Sequence, residues 1–283
     1  MTRYHWKPPP TGVKGGQSVG CHSRIDRALN RALHLPLSRC SRYVVISDCH
    51  RGEGTANDNF LKNQHLYFAA LEYYLEHGFF YLELGDGEEL WENRCAKRIA
   101  ECHENVYDMF ERYEKDCRIL RLYGNHNMEL RGVLPEAVIL KNQEGGSDIC
   151  MIHGHQADFF NAVCWRLSRF LVRYLWKPLE RSGVNDPTSA ARNYKKAARY
   201  EKCMEDWTRK HGCYLAAGHS HRPRLPADGS MYLNAGSCVH PRCITAIEIE
   251  GMRMTLVKWV MTTRADMTLY VAREILAGPR TIL

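Results

Sequence analysis

Five short apolar runs of the chain, at 43–47, 79–84, 117–123, 149–152 and 214–217, each give way to a polar metal-type side chain: Asp48, Asp86, Asn125, His153 and His219. A β-branched or aromatic run that stops at a polar residue reads as a buried strand. In α/β sheets the crevice outside the carboxyl ends of the strands is where ligands bind, because loops converge there on a rigid frame. Further runs at 137–140, 231–233, 244–249 and 254–260 extend the set of strands. Residues 60–77 have helical spacing with Gly78 at the stop, and 91–115 also read as helical. The expectation is a mixed α/β chain with many strands. No period of twenty to fifty residues repeats, which excludes solenoids and propellers.

The 283 residues allow one or two domains, and a hydrophobic share of 45% with 25% charged residues belongs to globular chains. Residues 1–41, rich in Pro, Gly, Ser and Arg, read as a basic arm with one short helix over 25–33, and the domain proper as 42–283. Arg3, His5, Lys7 and Pro8-Pro9-Pro10 do not make a secretory signal, so the expected location is cytoplasmic. The twelve cysteines lie scattered between Cys21 and Cys243 without a CxxC pair, which predicts reduced, mostly buried thiols.

Charge is concentrated. Between Phe159 and Gly212 twelve Lys and Arg face five acids, an excess equal to the net charge of +7 of the whole chain. That segment reads as built to meet an anion. Phe160, Val163, Cys164, Leu167, Phe170, Leu171 and Tyr174 follow helical spacing, with Arg166, Arg169, Arg173 and Lys177 on another face. Asp186-Pro187 offers an N-cap and first helical position for a second helix to Lys210. The expected product is a helical, basic hairpin at about 159–212, a lid whose cations take phosphate and whose apolar face at 159–179 takes a lipid chain or a membrane surface. The alternative is that it packs on its own domain.

Asp48-Cys49-His50, His153-Gly154-His155 and His219-Ser220-His221 each set two polar groups two residues apart, on one side of an extended chain. Carboxylate, imidazole and amide oxygen are ligands of borderline divalent metals, and their number suffices for two ions. Two such ions about 3.5–4 Å apart generate a nucleophile at neutral pH and clamp a phosphoryl group. Cys49, between two donors, is expected to point away and pack.

Taken in order, Asp48-x-His50, Gly85-Asp86-x-x-Glu89, Gly124-Asn125-His126, His153 and Gly218-His219-x-His221 resemble the five-block signature of calcineurin-like metallophosphoesterases. The resemblance implies a four-layer αββα sandwich and a dinuclear phosphohydrolase that cleaves a phosphoester or pyrophosphate bond by in-line attack of a metal-bridging hydroxide. It implies one divalent ion on Asp48, His50 and His221, a second on Asn125, His153 and His219, Asp86 bridging both, and His126 as general acid. The ions would be manganese, iron or zinc. The chain departs from the pattern at Glu89, where Asp is more frequent and where the residue would orient a ligand, and at Asn127, where Asp or Glu is usual. Asn234-Ala235-Gly236-Ser237 resembles a turn placed near the site in that family.

The helical insert, the block Gly85-Asp86-Gly87-Glu88-Glu89-Leu90-Trp91 and His221-Arg222-Pro223 further resemble the UDP-diacylglucosamine pyrophosphohydrolase branch. His126 stands where that branch has Arg. Arg51, His155, Arg166 and Arg173 are read as substrate contacts. The expected partner is a phosphate-containing substrate, nucleotide- or lipid-linked. Few aromatics are placed for base stacking, which speaks against nucleic acid. Two other functions stay open: a phosphomonoesterase or serine/threonine protein phosphatase-like enzyme, and a metal-binding scaffold without catalysis.

Overall fold

The computed structural model describes residues 20–55, 58–176, 194–226 and 229–282. Two sheets face each other. One has five strands in the order β1 (Leu33–Leu37), β5 (Ala137–Asn142), β6 (Ile149–Ile152), β7 (Tyr214–Ala217), β8 (Tyr232–Asn234). The other has six, in the order β11 (Leu269–Thr281), β10 (Arg253–Thr263), β9 (Cys243–Glu250), β2 (Arg42–Ile46), β3 (Phe80–Glu83), β4 (Ile119–Arg121).

The alternation of strand side chains makes the layers. Val45, Leu82 and Leu122 from one sheet meet Val138, Leu140, Met151 and Tyr214 from the other in a core between the sheets. Val44, Ile46 and Tyr81 point the opposite way, onto α2 (Gln64–Glu76) and α4 (Glu104–Lys115) through Leu66, Tyr67, Val106 and Phe110. On the far side Ile139, Ile152, Leu215 and Ala217 pack against Ile25 and Ala28 of α1 (Cys21–Leu29) and Met204 and Trp207 of α7 (Tyr194–His211). The result is the expected order of layers, helix, sheet, sheet, helix. Strands covered on both faces need near-continuous apolar runs, which is how β2, β6 and β7 read in the sequence.

Several expectations are corrected. No break falls at residue 41: α1 is packed in the outer core and β1 pairs in parallel with β5, so 20–41 belongs to the sandwich, while 1–19 of the expected arm lies outside the described residues. Pro36 is accommodated because β1 is an edge strand. The thiols are not all reduced, since Cys21 and Cys203 form a disulfide between α1 and α7. The helix expected over 91–115 is two helices, α3 (Ala96–Cys102) and α4. They part at His103, whose Nε2 contacts Asp58 Oδ2 at 2.8 Å.

The insert is not one continuous amphipathic helix. It runs as α5 (Phe159–Ala162), α6 (Trp165–Leu171) and a wide turn at Val172–Trp176. Asp186-Pro187, Lys177 and the rest of 177–193 lie outside the described residues. No helix among the described residues is long and apolar enough to cross a membrane.

Candidate metal centre

Strands β2, β3 and β4 are parallel neighbours in one sheet, and β6, β7 and β8 in the other. Their carboxyl ends therefore lie along one edge of each sheet. Backbone bonds join the loops that follow: Asp48 N donates to Gly85 O at 3.1 Å, His50 N to Asp86 O at 2.8 Å, and Gly218 N to His153 O at 2.8 Å. Gly85 must be glycine, because its φ is +92° and a Cβ there would lie 2.8 Å from Gly124 N and 2.9 Å from His153 Cγ.

Five residues at these ends hold left-handed backbone although none is glycine: Asp48 (φ 54°), His50 (49°), Asp86 (50°), His219 (63°) and His221 (55°). Such a conformation costs about 1–3 kcal/mol per residue and persists where surrounding structure enforces it, typically at functional sites.

The side chains converge. Asp48 Oδ1 lies 3.1 Å from His221 Nε2, 3.7 Å from His50 Nε2 and 3.9 Å from His153 Nε2. Asp86 Oδ2 lies 3.1 Å from His153 Nε2 and 3.9 Å from His50 Nε2, and Asn125 Oδ1 is 3.1 Å from His153 Nε2. His50 and His221 approach at 3.3 Å, Nε2 to Nε2. Donor atoms within 4.8 Å of one another form the sets Asp48, His50, His221; Asp86, His153, His219; and His50, Glu89, His126.

Outer contacts fix which nitrogen faces inward. His153 Nδ1 donates to Leu84 O at 2.7 Å, and His50 Nδ1 to Glu89 Oε2 at 2.7 Å, so each presents Nε2 to the carboxylates. Glu89 Oε1 holds His126 Nδ1 at 2.8 Å, and His126 N donates to Asp86 Oδ1 at 2.8 Å. Glu89 thus spans two imidazoles.

The arrangement needs positive charge at its centre. Asp48 Oδ1 and His219 Nε2 are buried within the cluster without a hydrogen-bond partner. Burial penalises the charges of His50 and His153, yet the carboxylates around them outweigh that penalty and hold both imidazoles above their ordinary range. Against the same penalty, the neighbouring histidines hold Asp48 and Asp86 well below the usual carboxylate range. Protons meet the demand when nothing else does. A carboxylate, imidazole and amide donor set of this kind fits divalent cations of the manganese, iron and zinc type.

The predicted substrate contacts fare differently. Arg51 is fully buried, not at a phosphate: its guanidinium donates to Glu83 Oε2 and Oε1 at 2.9 Å each and to Glu88 Oε1 at 3.2 Å. Arg121 joins the same two carboxylates. Next to a donor in sequence, Arg51 points to the other side of the chain. Arg173 is engaged by main chain, donating to the carbonyls of Leu90, Trp91 and Asn93. Arg166 is exposed, its guanidinium 5.4 Å from the Trp165 ring centroid. Burial, reinforced by His153 and His219, keeps the His155 imidazole neutral. It is buried, with its ring 5.5 Å from that of His153 and Nδ1 unpartnered.

Cys49 packs as expected, its Sγ 3.5 Å from Cys238 Sγ. Asn234 Nδ2 donates to Gly218 O at 2.8 Å and Ser220 Oγ at 3.1 Å, bracing the turn that carries His219.

Sequence reasoning missed three neighbours. A cavity of about 430 Å³ beside His221 is lined by Arg222, Arg224, His240, Pro223 and Glu201. Asp158 Oδ2 stands 3.8 Å from His219 Nε2, and Trp91 stacks on His126 with ring centroids 4.3 Å apart. Asp158 also caps α5, accepting from Phe160 N at 3.0 Å.

No protein-family model matches the sequence, and no curated protein sequence does. Solved structures similar to this chain include Vps29 from Chaetomium thermophilum, 13% identical, with 84% of this chain and 97% of that one covered and a TM-score of 0.44. Vps29 from Cryptosporidium parvum is 16% identical over 85% of this chain and 100% of that one, at 0.40. A point mutant of a cold-active protein tyrosine phosphatase is 14% identical over 90% of this chain and 85% of that one, at 0.43. With TM-scores below 0.5, none of these likenesses bears on the chemistry of this chain.

Proposed function

We propose that the chain is a phosphohydrolase of the calcineurin-like type, dependent on two divalent metal ions, that cleaves a phosphoester or pyrophosphate bond. One observation carries this reading: donors from five strand ends converge, five of the residues on left-handed backbone, around a buried carboxylate oxygen and an imidazole nitrogen that lack hydrogen bonds. Asp48, His50 and His221 would hold one cation and Asn125, His153 and His219 the other, with Asp86 available to both. When bound, the cations supply an activated water at neutral pH and neutralise charge on the phosphoryl group.

The remaining chemistry belongs to the protein. Burial disfavours the charge of His126, but Glu89 and Asp86 more than compensate and hold its pKa above the ordinary value. Glu89, itself held down at about 2 by His126 and His50 against the cost of burial, stays an acceptor for His126 Nδ1. Proton transfer to the departing oxygen then runs through Nε2. The cavity beside His221 accepts the part of the substrate beyond the scissile bond. The exposed side chains of Phe160, Leu167 and Phe170 favour an amphiphilic substrate or a membrane surface nearby.

The test is to strip the protein of metal, add back manganese, zinc, iron or magnesium, and assay a phosphomonoester, a phosphodiester, a nucleotide-sugar pyrophosphate and a lipid-linked pyrophosphate, with products identified by mass. Cleavage of a pyrophosphate to two monoesters is the expected result. Inorganic phosphate released from monoesters alone makes the chain a phosphomonoesterase. Metal binding without turnover on any of the four leaves a scaffold.

A further inference from the structure

The wall on which His126 rests is fastened by the insert. Arg173, in the turn after α6, donates from Nε to Trp91 O at 2.8 Å and from Nη2 to Leu90 O at 2.6 Å and Asn93 O at 3.0 Å. Those carbonyls belong to an irregular segment, so without a donor they lose their partners. The same segment holds His126 twice. Leu90 N donates to His126 O at 3.0 Å, and the Trp91 indole lies on the imidazole at 4.3 Å with 23° between planes. Trp91 is buried.

His126 is therefore boxed: Trp91 on its face, the edge of His50 at 4.7 Å and 83°, and Glu89 at Nδ1. His50 and Glu89 belong to the strand-end loops. Trp91 alone of the three is tied to the insert.

We propose that Arg173 and Trp91 form a strap through which the insert positions His126, Arg173 fixing the segment 90–93 and Trp91 fixing the plane of the imidazole. Both are positioning residues, and the inference rests on the reading of His126 as general acid. A catalytic group must be held to within about 0.5 Å and 10–20° of its productive geometry, and its neighbours do the holding. Three converging carbonyls match the fixed fork of a guanidinium, whereas the point charge of Lys cannot reproduce that set.

General-acid assistance matters for a poor leaving group and little for an activated one. The experiment compares kcat on a 4-nitrophenyl ester with kcat on an alkyl ester of the same phosphate, using the full chain loaded with metal. His126→Ala sets the ceiling. Arg173→Met, Arg173→Lys and Trp91→Leu are each expected to lower the alkyl-to-nitrophenyl ratio by about tenfold, a part of the about 10²–10⁴-fold that a general acid supplies. Trp91→Phe, which keeps a ring on the imidazole, is expected to recover most of it, and metal content stays at the wild-type level throughout. A ratio unchanged in the Arg173 and Trp91 variants, or equal losses on both esters, overturns the strap. If the wild type cleaves both esters but His126→Ala leaves the ratio unmoved, the general-acid reading falls, and a wild type that cleaves neither these esters nor the two pyrophosphates removes the phosphohydrolase reading itself.

Discussion

The strand-end loops and the insert use opposite means to place their side chains. At the strand ends the donors other than the half-buried His221 are buried, the backbone is strained at five of them, and their loops are bonded to one another, so that position is set by the sheets. In the first part of the insert, 159–176, the large apolar side chains face outward: Phe160 is 60% exposed, Leu167 57% and Phe170 58%. What fastens it is polar and sparse. Asp158 caps α5 beside His219, Arg169 pairs with Glu129, and Arg173 grips 90–93. A region can be defined by its core or by a few anchors, and the consequences of substitution differ accordingly.

The largest effect falls on the first region. Asp86 touches both donor sets, so Asp86→Asn should cost about 10³-fold or more in kcat and lower the bound metal, since cation stabilisation of a phosphoryl group amounts to several kcal/mol. Metal content by mass spectrometry beside kcat checks it. Full metal content with wild-type turnover would dissolve the contrast.

Behind the donors, Arg51, Arg121, Glu83 and Glu88 form a buried ionic cluster, and removing one partner of such a pair costs about 3–5 kcal/mol. Arg51→Met should show that loss in urea unfolding. Burial alone would raise the pKa of Glu83 and Glu88, but Arg121 and Arg51 reverse that and bring both below their ordinary value. Their folded pKa values are thus depressed. The stability they contribute is complete above the carboxylate range of the unfolded chain, about pH 4.3–4.5, and is lost as pH falls through the folded values. Unfolding followed from pH 6 down to pH 2 should show the decline in the wild type and a shallower one in Arg51→Met.

This contrast also explains what could be read from the sequence. The strands β2, β6 and β7 and the donors behind them were legible because both depend on local pattern: an apolar run, then a polar group. Side-chain direction was not. Arg51 follows His50 directly yet turns into the ionic cluster, and only Glu83 and Glu88, 32 and 37 residues away, reveal why. Two of the four edge strands, β1 and β11, were lost for a related reason. β1 contains Pro36, and β11 carries Arg273, Glu274 and Pro279 along a largely exposed edge, so neither shows an apolar run. In the insert the apolar side chains keep helical spacing, but spacing states neither whether the helix is continuous nor whether a face is covered. Trp91 and Arg173 each stand out in the sequence for other reasons, but their meeting gave no signal, because it joins residues 82 apart.

The smallest predicted effect tests the insert's outward face. Surface substitutions away from caps, ion pairs and cores shift stability by no more than about 0.5 kcal/mol. The double variant Phe160→Ser with Leu167→Ser should therefore unfold in urea at the wild-type midpoint, whereas Leu140→Ala, in the core between the sheets, should lose about 2–5 kcal/mol. If the double variant loses stability comparably, that face is packed against the protein and the insert belongs with the core. If stability holds while KM rises for an amphiphilic phosphoester and not for a small polar one, the face serves the substrate. The insert then performs two separable tasks, holding His126 from its inner side through Arg173 and meeting apolar matter from its outer one.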